Sequence, residues 1–135
     1  MKFLLALKKK SKGFTLIEVI IVASIIALLA ALSIILMLNM FISANEAAAQ
    51  KGLDTFRTAM EKFRGLNNGA YPGSIAELSP DYVDSALAGG TRKGYTFTLS
   101  NASGTTYTIT AAPETLNVTG KRTFTVDQSG EIQEV

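Results

Sequence analysis

From Val19 to Leu38 the chain carries no charged residue, and its polar side chains there are the two hydroxyls of Ser24 and Ser33. A run of this length reaches the ~20 residues that an α-helix needs to cross a hydrocarbon core. A single segment in lipid satisfies all of its own backbone groups only as a helix. The run therefore constrains everything else: a membrane-length helix near the start of a chain of 135 residues. The rest of the chain is short enough for one small domain with a modest core.

The edge of the run is ordered. Lys8, Lys9, Lys10 and Lys12 precede it, and one carboxylate, Glu18, lies immediately before Val19. Lysines before an apolar segment hold that end in the cytoplasm and send the C-terminal body outside. A charge at the centre of a bilayer helix costs roughly 2.5–3.5 kcal/mol, and less near the interface. An acid at Glu18 still calls for a partner. The net charge of +2 belongs to the leader: residues 1–13 hold five of the thirteen basic residues and no acid, leaving eight basic against eleven acidic residues. The remainder offers no general basic surface for nucleic acid. Lys121-Arg122 and Arg92-Lys93 are two basic pairs that can meet on one surface, with solvated charge as the default.

There is no Cys and no His. No disulfide supports the domain, and the commonest general base and metal ligand is missing. The usual triads and thiolate sites cannot be built. Gly89 to Gly94 lacks the spacing of a phosphate loop and precedes a strand. Asp127, Ser129 and Glu131 read as a hairpin turn before they read as calcium ligands. No catalytic residue, cofactor or metal is expected.

Residues 1–13 do not form an ordinary secretory signal, because Phe3 to Leu7 is too short an apolar stretch and lysines come after it. Charge and length alone describe a signal anchor that is never cut. The stretch Lys12-Gly13-Phe14-Thr15-Leu16-Ile17-Glu18, behind a short lysine-rich leader and ahead of an apolar helix, resembles the class III signal of type IV pilins and type II secretion pseudopilins. The resemblance implies that a prepilin peptidase cuts between Gly13 and Phe14 and that the freed Phe14 amine is N-methylated. It implies that Glu18 pairs with the terminal amine of a neighbouring subunit and aligns it. An opposite charge there offsets the cost of a carboxylate in an apolar core. Ala23, Ala27 and Ala31 recur every four residues, a spacing that lets helices approach closely in lipid. The proline of many major pilins, about two-thirds of the way through the apolar segment, is missing from Ser33 to Leu36. So is the cysteine pair that closes a C-terminal loop in many type IV pilins.

The helical pattern outlasts the membrane run. Ala49, Leu53, Phe56, Met60 and Phe63 form one apolar stripe, with Leu53, Phe56, Met60 and Phe63 as the expected head core. The other faces carry Glu46, Lys51, Asp54, Arg57, Glu61 and Arg64, with ion pairs expected at Asp54/Arg57, Arg57/Glu61 and Glu61/Arg64. The helix should stop at Gly65 or in Asn67-Asn68-Gly69. Asn67 to Gly90 is loop-rich, with a short helix capped by Ser74. Beyond Gly94 the period becomes two. Tyr95, Phe97 and Leu99, then Tyr107, Ile109 and Ala111, then Thr123 to Asp127 and Glu131 to Val135 read as strands.

The expected fold is α+β, the type IV pilin fold: one long N-terminal helix with an apolar first half, packed on a small antiparallel sheet of three to four strands. The expected organisation is a leader over 1–13, a transmembrane and filament-core helix over 14–42, an amphipathic spine over 43–66 and a globular head over 67–135. The resemblance implies a non-enzymatic filament subunit of a type IV pilus. The alternatives are a type II secretion pseudopilin and a single-pass anchored binding protein that does not polymerise. Implied partners are the prepilin peptidase, other pilin subunits, the membrane and, indirectly, an inner-membrane platform protein with its cytoplasmic assembly ATPase. Nucleic acid is not among the expected partners. The implied location is the bacterial inner membrane and then a surface pilus, or the periplasm for a pseudopilin.

Overall fold

The structure, a computed structural model, describes residues 12–135. Lys8, Lys9 and Lys10, with the rest of the leader up to Ser11, lie outside the described residues. The chain divides into two units, one ending at Leu36 and one comprising Met37–Val135.

In the first unit α1 (Leu16–Leu66) begins. Its side chains from Val19 to Leu36 are exposed on every face. Ser24 and Ser33 turn their hydroxyls back onto the carbonyls of Ile20 and Leu29, at 2.7 and 2.8 Å. The surface is thus left without a free donor, as a lipid-facing helix requires.

In the second unit the rest of α1 carries the stripe that builds the head. Ala49, Leu53, Phe56, Ala59 and Met60 are buried, and Phe63 is half-buried against the core, edge-on to Tyr82. The helix ends at Leu66, where Asn68 and Gly69 take positive φ and the Gly69 N–H reaches the Arg64 carbonyl. Asp54–Arg57 and Glu61–Arg64 pair along it. Arg57 turns to the Gly130 carbonyl (2.9 Å) instead of Glu61, because the turn at Gly130 offers a fixed acceptor where an exposed carboxylate offers a screened one.

The sheet has five strands, one more than the three to four expected. They are β1 (Thr91–Arg92), β2 (Tyr95–Ser100), β3 (Thr108–Pro113), β4 (Phe124–Asp127) and β5 (Ile132–Glu134), ordered β1-β2-β3-β4-β5 and antiparallel throughout. The extra strand is a two-residue edge, folded back on β2 through Lys93-Gly94 with Arg92 opposite Tyr95. Two residues leave no period to read. Tyr95 and Phe97 of β2, Ile109 and Ala111 of β3 and Phe124 and Val126 of β4 turn inward onto α1. Alternate threonines stand on the other face.

The connection from α1 to the sheet contains a 3-10 turn (Ile75–Leu78) and a short helix α2 (Ser85–Ala88). Ser74 does not cap the first with its side chain, whereas the Asp84 carboxylate accepts the Leu87 N–H at 2.7 Å and caps α2. Leu78, Val83 and Leu87 plug one end of the core.

Candidate functional site

Two regions carry the chemistry. The first is the start of α1. The Thr15 N–H donates to Glu18 Oε2 at 3.0 Å, and the Glu18 N–H donates to Thr15 Oγ1 at 3.3 Å. This reciprocal pair is a capping box, which satisfies two helix-start donors at once. The signal, Thr-x-x-Glu ahead of an apolar run, is in the sequence, but the expectation for Glu18 was an intermolecular role alone. The capping bond uses the Thr15 amide, which a cut between Gly13 and Phe14 leaves in place. It occupies one carboxylate oxygen and leaves the charge near the helix start, where the helix dipole favours it. Phe14, Glu18, Val19, Val22, Ala23 and Ile26 line one shallow apolar groove. Phe14, at the expected cleavage position, the acid Glu18 and Ala23, the first residue of the alanine stripe, therefore share a face. Gly13, Ala27 and Ala31 are exposed.

The second region joins α1 to the loop before β4. Glu46 is only 5 % exposed, although its charge implies a solvent face. It falls three residues before Ala49, on the same alternating four–three spacing as the stripe, and that spacing is the signal that could have found it. Its Oε1 accepts the backbone N–H groups of Lys121 and Arg122 at 3.0 and 3.2 Å. Its Oε2 accepts from the Arg122 guanidinium through Nε (3.0 Å) and Nη2 (2.8 Å). Burial pushes its pKa up, but these hydrogen bonds and the guanidinium charge outweigh burial and hold it below the usual carboxylate range. Arg122 also reaches Glu134 of β5 at 3.3 Å and lies over the Phe124 ring.

The same loop is tied down twice more. The Asn45 amide donates to the Thr119 carbonyl at 3.0 Å, and Lys121 Nζ lies 3.4 Å from Asn39 Oδ1. Gly94 packs against Thr119 so closely that an added Cβ would lie 2.6 Å from it, and the Glu114 N–H donates to the Gly94 carbonyl. The β1–β2 turn with Arg92-Lys93 and the loop with Lys121-Arg122 are therefore neighbours. Arg122 is engaged by carboxylates. Among the described residues Arg92, Lys93 and Lys121 lie in no ion pair.

Asp127 is occupied by its own turn: its Oδ1 accepts from the Ser129 N–H and hydroxyl, which lowers its pKa. Among the described residues no cluster of His, Cys, Asp or Glu is placed to hold a metal ion.

Residues 8–34 match the prokaryotic N-terminal methylation motif. Residues 39–125, well over half of the chain, match the family described as type IV minor pilin ComP, DNA uptake sequence receptor. No curated protein and no solved structure matches the chain. The two family matches favour a pilus subunit over a secretion pseudopilin or a non-polymerising anchor. With an apolar helix that can span a membrane and a helix-on-sheet head behind it, the chain belongs to the type IV pilins, in that minor-pilin family, and is a structural subunit of a pilus.

Proposed function

We propose that the chain enters the filament as a minor subunit after a prepilin peptidase cuts between Gly13 and Phe14 and the Phe14 amine is methylated. The mature subunit then has a membrane and filament-core helix over 14–42, a spine over 43–66 and a head over 67–135. Before assembly it lies in the inner membrane with its N-terminus in the cytoplasm and its head outside. A platform protein and an assembly ATPase act on it from there. Glu18 pairs with the terminal amine of a neighbour, and Ala23, Ala27 and Ala31 set how closely the helices approach.

The observation that supports this most is the Glu18 carboxylate. It is fixed by the Thr15 N–H at the start of a helix whose apolar surface is exposed among the described residues. An acid so placed gains a ready counter-charge when processing creates a new amine four residues before it. N-terminal sequencing and intact mass of the protein recovered from its native membrane test the proposal. The expected product begins at Phe14 and is one methyl group heavier than the bare peptide. A product that begins at Met1 overturns it.

A second reading, that the head binds duplex DNA, is supported by the description of the matched family and by the adjacent cations Arg92, Lys93 and Lys121. It departs from the expectation drawn from charge, which left nucleic acid out. Three phosphate contacts should give a log–log salt slope of about −2.7. Replacing the three residues by Gln should flatten that slope. An unchanged slope would remove these residues from the DNA reading.

A further inference from the structure

The loop between β3 and β4 turns two apolar side chains into solvent: Leu116 is 63 % exposed and Val118 66 %. From Asn67 onward, the other exposed large aliphatic or aromatic side chain is the terminal Val135. The loop is closed on itself. The Val118 and Thr119 N–H groups donate to the Thr115 carbonyl, the Asn117 N–H donates to the Gly120 carbonyl, and the Thr119 hydroxyl accepts from the Thr115 N–H at 3.1 Å. Its backbone polar groups are thus largely satisfied internally, while its apolar tips remain in water. Two apolar tips two residues apart on such a loop form a small exposed apolar patch, whose use its surroundings must decide.

Its surroundings choose the partner. Arg92 and Lys93 stand beside it through the Gly94–Thr119 contact, and Lys121 follows it; the exposed acids nearby are Glu114 and Glu134, and Glu134 is paired with Arg122. The loop is moored to α1 at Asn39, Asn45 and Glu46. Asn39 directly follows Leu38, where the unbroken apolar run ends, and the exposed Met40 and Phe41 follow it, the first charge coming at Glu46. Apolar tips ringed by cations, fastened where a membrane-length helix leaves the hydrocarbon, have the make-up of a segment that seats in an anionic lipid surface. The tips enter the acyl boundary and the cations meet phosphates.

We infer that the Thr115–Arg122 loop is a membrane-docking foot, which seats the head on the anionic phospholipid leaflet while the N-terminal helix holds the subunit in the membrane. The inference rests on the anchored reading of the apolar run. Lifting the subunit into a filament then requires release of the foot as well as withdrawal of the helix.

The chain has no Trp, so a single introduced indole reports depth without background. Full-length Leu116→Trp and Val118→Trp proteins are reconstituted into phosphatidylethanolamine–phosphatidylglycerol vesicles with brominated acyl chains. Ala102→Trp, in the exposed β2–β3 turn, serves as the control. Both loop reporters should be blue-shifted and quenched at least about twofold more than the control. Quenching should weaken in phosphatidylcholine, and also when Arg92, Lys93 and Lys121 are changed to Gln. Loop reporters no more quenched than the control, in protein that floats with vesicles, overturn the foot and leave the anchor standing. Protein that does not float overturns both. A loop reporter that responds to duplex DNA but not to lipid assigns the surface to nucleic acid instead. A blue shift without quenching, lost on protein dilution at fixed lipid, assigns it to a second copy. Either result ends the proposal.

Discussion

The Glu46 carboxylate and the Arg122 guanidinium meet at 2.8 Å between α1 and the loop entering β4, the acid buried and the base nearly half exposed. The asymmetry matters. The guanidinium keeps part of its hydration, while the acid depends on its four hydrogen bonds. Two of these are backbone N–H groups, so Glu46 holds the loop's main chain as well as its side chain. The folded pKa lies below the ordinary 4.5. The acid's contribution is therefore complete above that value and is lost as pH falls through the folded one. Glu46→Gln should cost about 2 kcal/mol at neutral pH, since two charge-assisted bonds become ordinary and an amide donor is left facing other donors. Urea melts of the full-length protein in detergent, taken from neutral pH into acid, check both parts. The variant should converge on the wild type at low pH, and parallel curves would show that the carboxylate is not what titrates.

Gly120 lies so close to Tyr95 that an added Cβ would sit 2.0 Å from the phenol oxygen. Tyr95 cannot retreat, because it is fully buried and its hydroxyl donates to the Arg122 carbonyl at 2.7 Å. Gly120→Ala should therefore cost about 3 kcal/mol by overpacking. Gly52 makes a similar approach to the Phe97 ring, where an added Cβ would lie 2.6 Å away. There the clash is offset in part by the ~1 kcal/mol that Ala gains over Gly within a helix. The order of thermal midpoints should be wild type, then Gly52→Ala, then Gly120→Ala. The reverse order would mean that the loop yields more readily than the helix–sheet contact.

Tyr107 presents the opposite case. It is fully buried against Tyr71, with ring centroids 4.7 Å apart. Among the described residues its hydroxyl finds no hydrogen-bond partner. Burial pushes its pKa from 10.0 up to about 12. A raised folded value means that the stability is fully present below the unfolded pKa and is lost as pH rises from 10 toward 12. Tyr107→Phe removes a desolvated hydroxyl and should be neutral to about 1 kcal/mol stabilising. Its alkaline loss of stability should also be smaller than that of the wild type. Equal alkaline curves would place the titration at another tyrosine.

The legible parts of the molecule are those with a period. Val19 to Leu38 announces itself by length, the stripe through Leu53, Phe56 and Met60 by its spacing, and β2 to β4 by alternation. The hidden parts depend on contacts distant in sequence. Glu46 continues the stripe, but a carboxylate on an apolar spacing reads as solvent-facing until the backbone of Lys121 and Arg122, some 75 residues away, is found to meet it. The edge strand Thr91–Arg92 is defined only by its pairing with Tyr95 and Thr96. Gly52 looks like a weak point of the helix because its use, admitting the Phe97 ring, belongs to the sheet. Thr15 is legible as a cap, but the signal motif that contains it points to Gly13, Phe14 and Glu18 alone.

The observed capping bond of Glu18 and the alignment role proposed for it are separable, and three substitutions divide them. As a cap it needs only an acceptor oxygen for the Thr15 N–H, which Gln also supplies. As the counter-charge of a neighbour's terminal amine it needs the negative charge, which Gln lacks. Glu18→Ala loses both, Glu18→Gln loses only the second, and Thr15→Ala loses only the hydroxyl side of the box. All three should insert in the membrane and keep a folded head, because the apolar run and the Met37–Val135 core are untouched. Loss of the Thr15 cap should cost about 1 kcal/mol of local helix stability and leave assembly near normal. Glu18→Gln should fail to enter filaments as completely as Glu18→Ala, measured as protein in sheared filaments relative to protein in the membrane. Filament entry by Glu18→Gln at the wild-type level would show that the acid serves the helix start of its own subunit and not the alignment of the next.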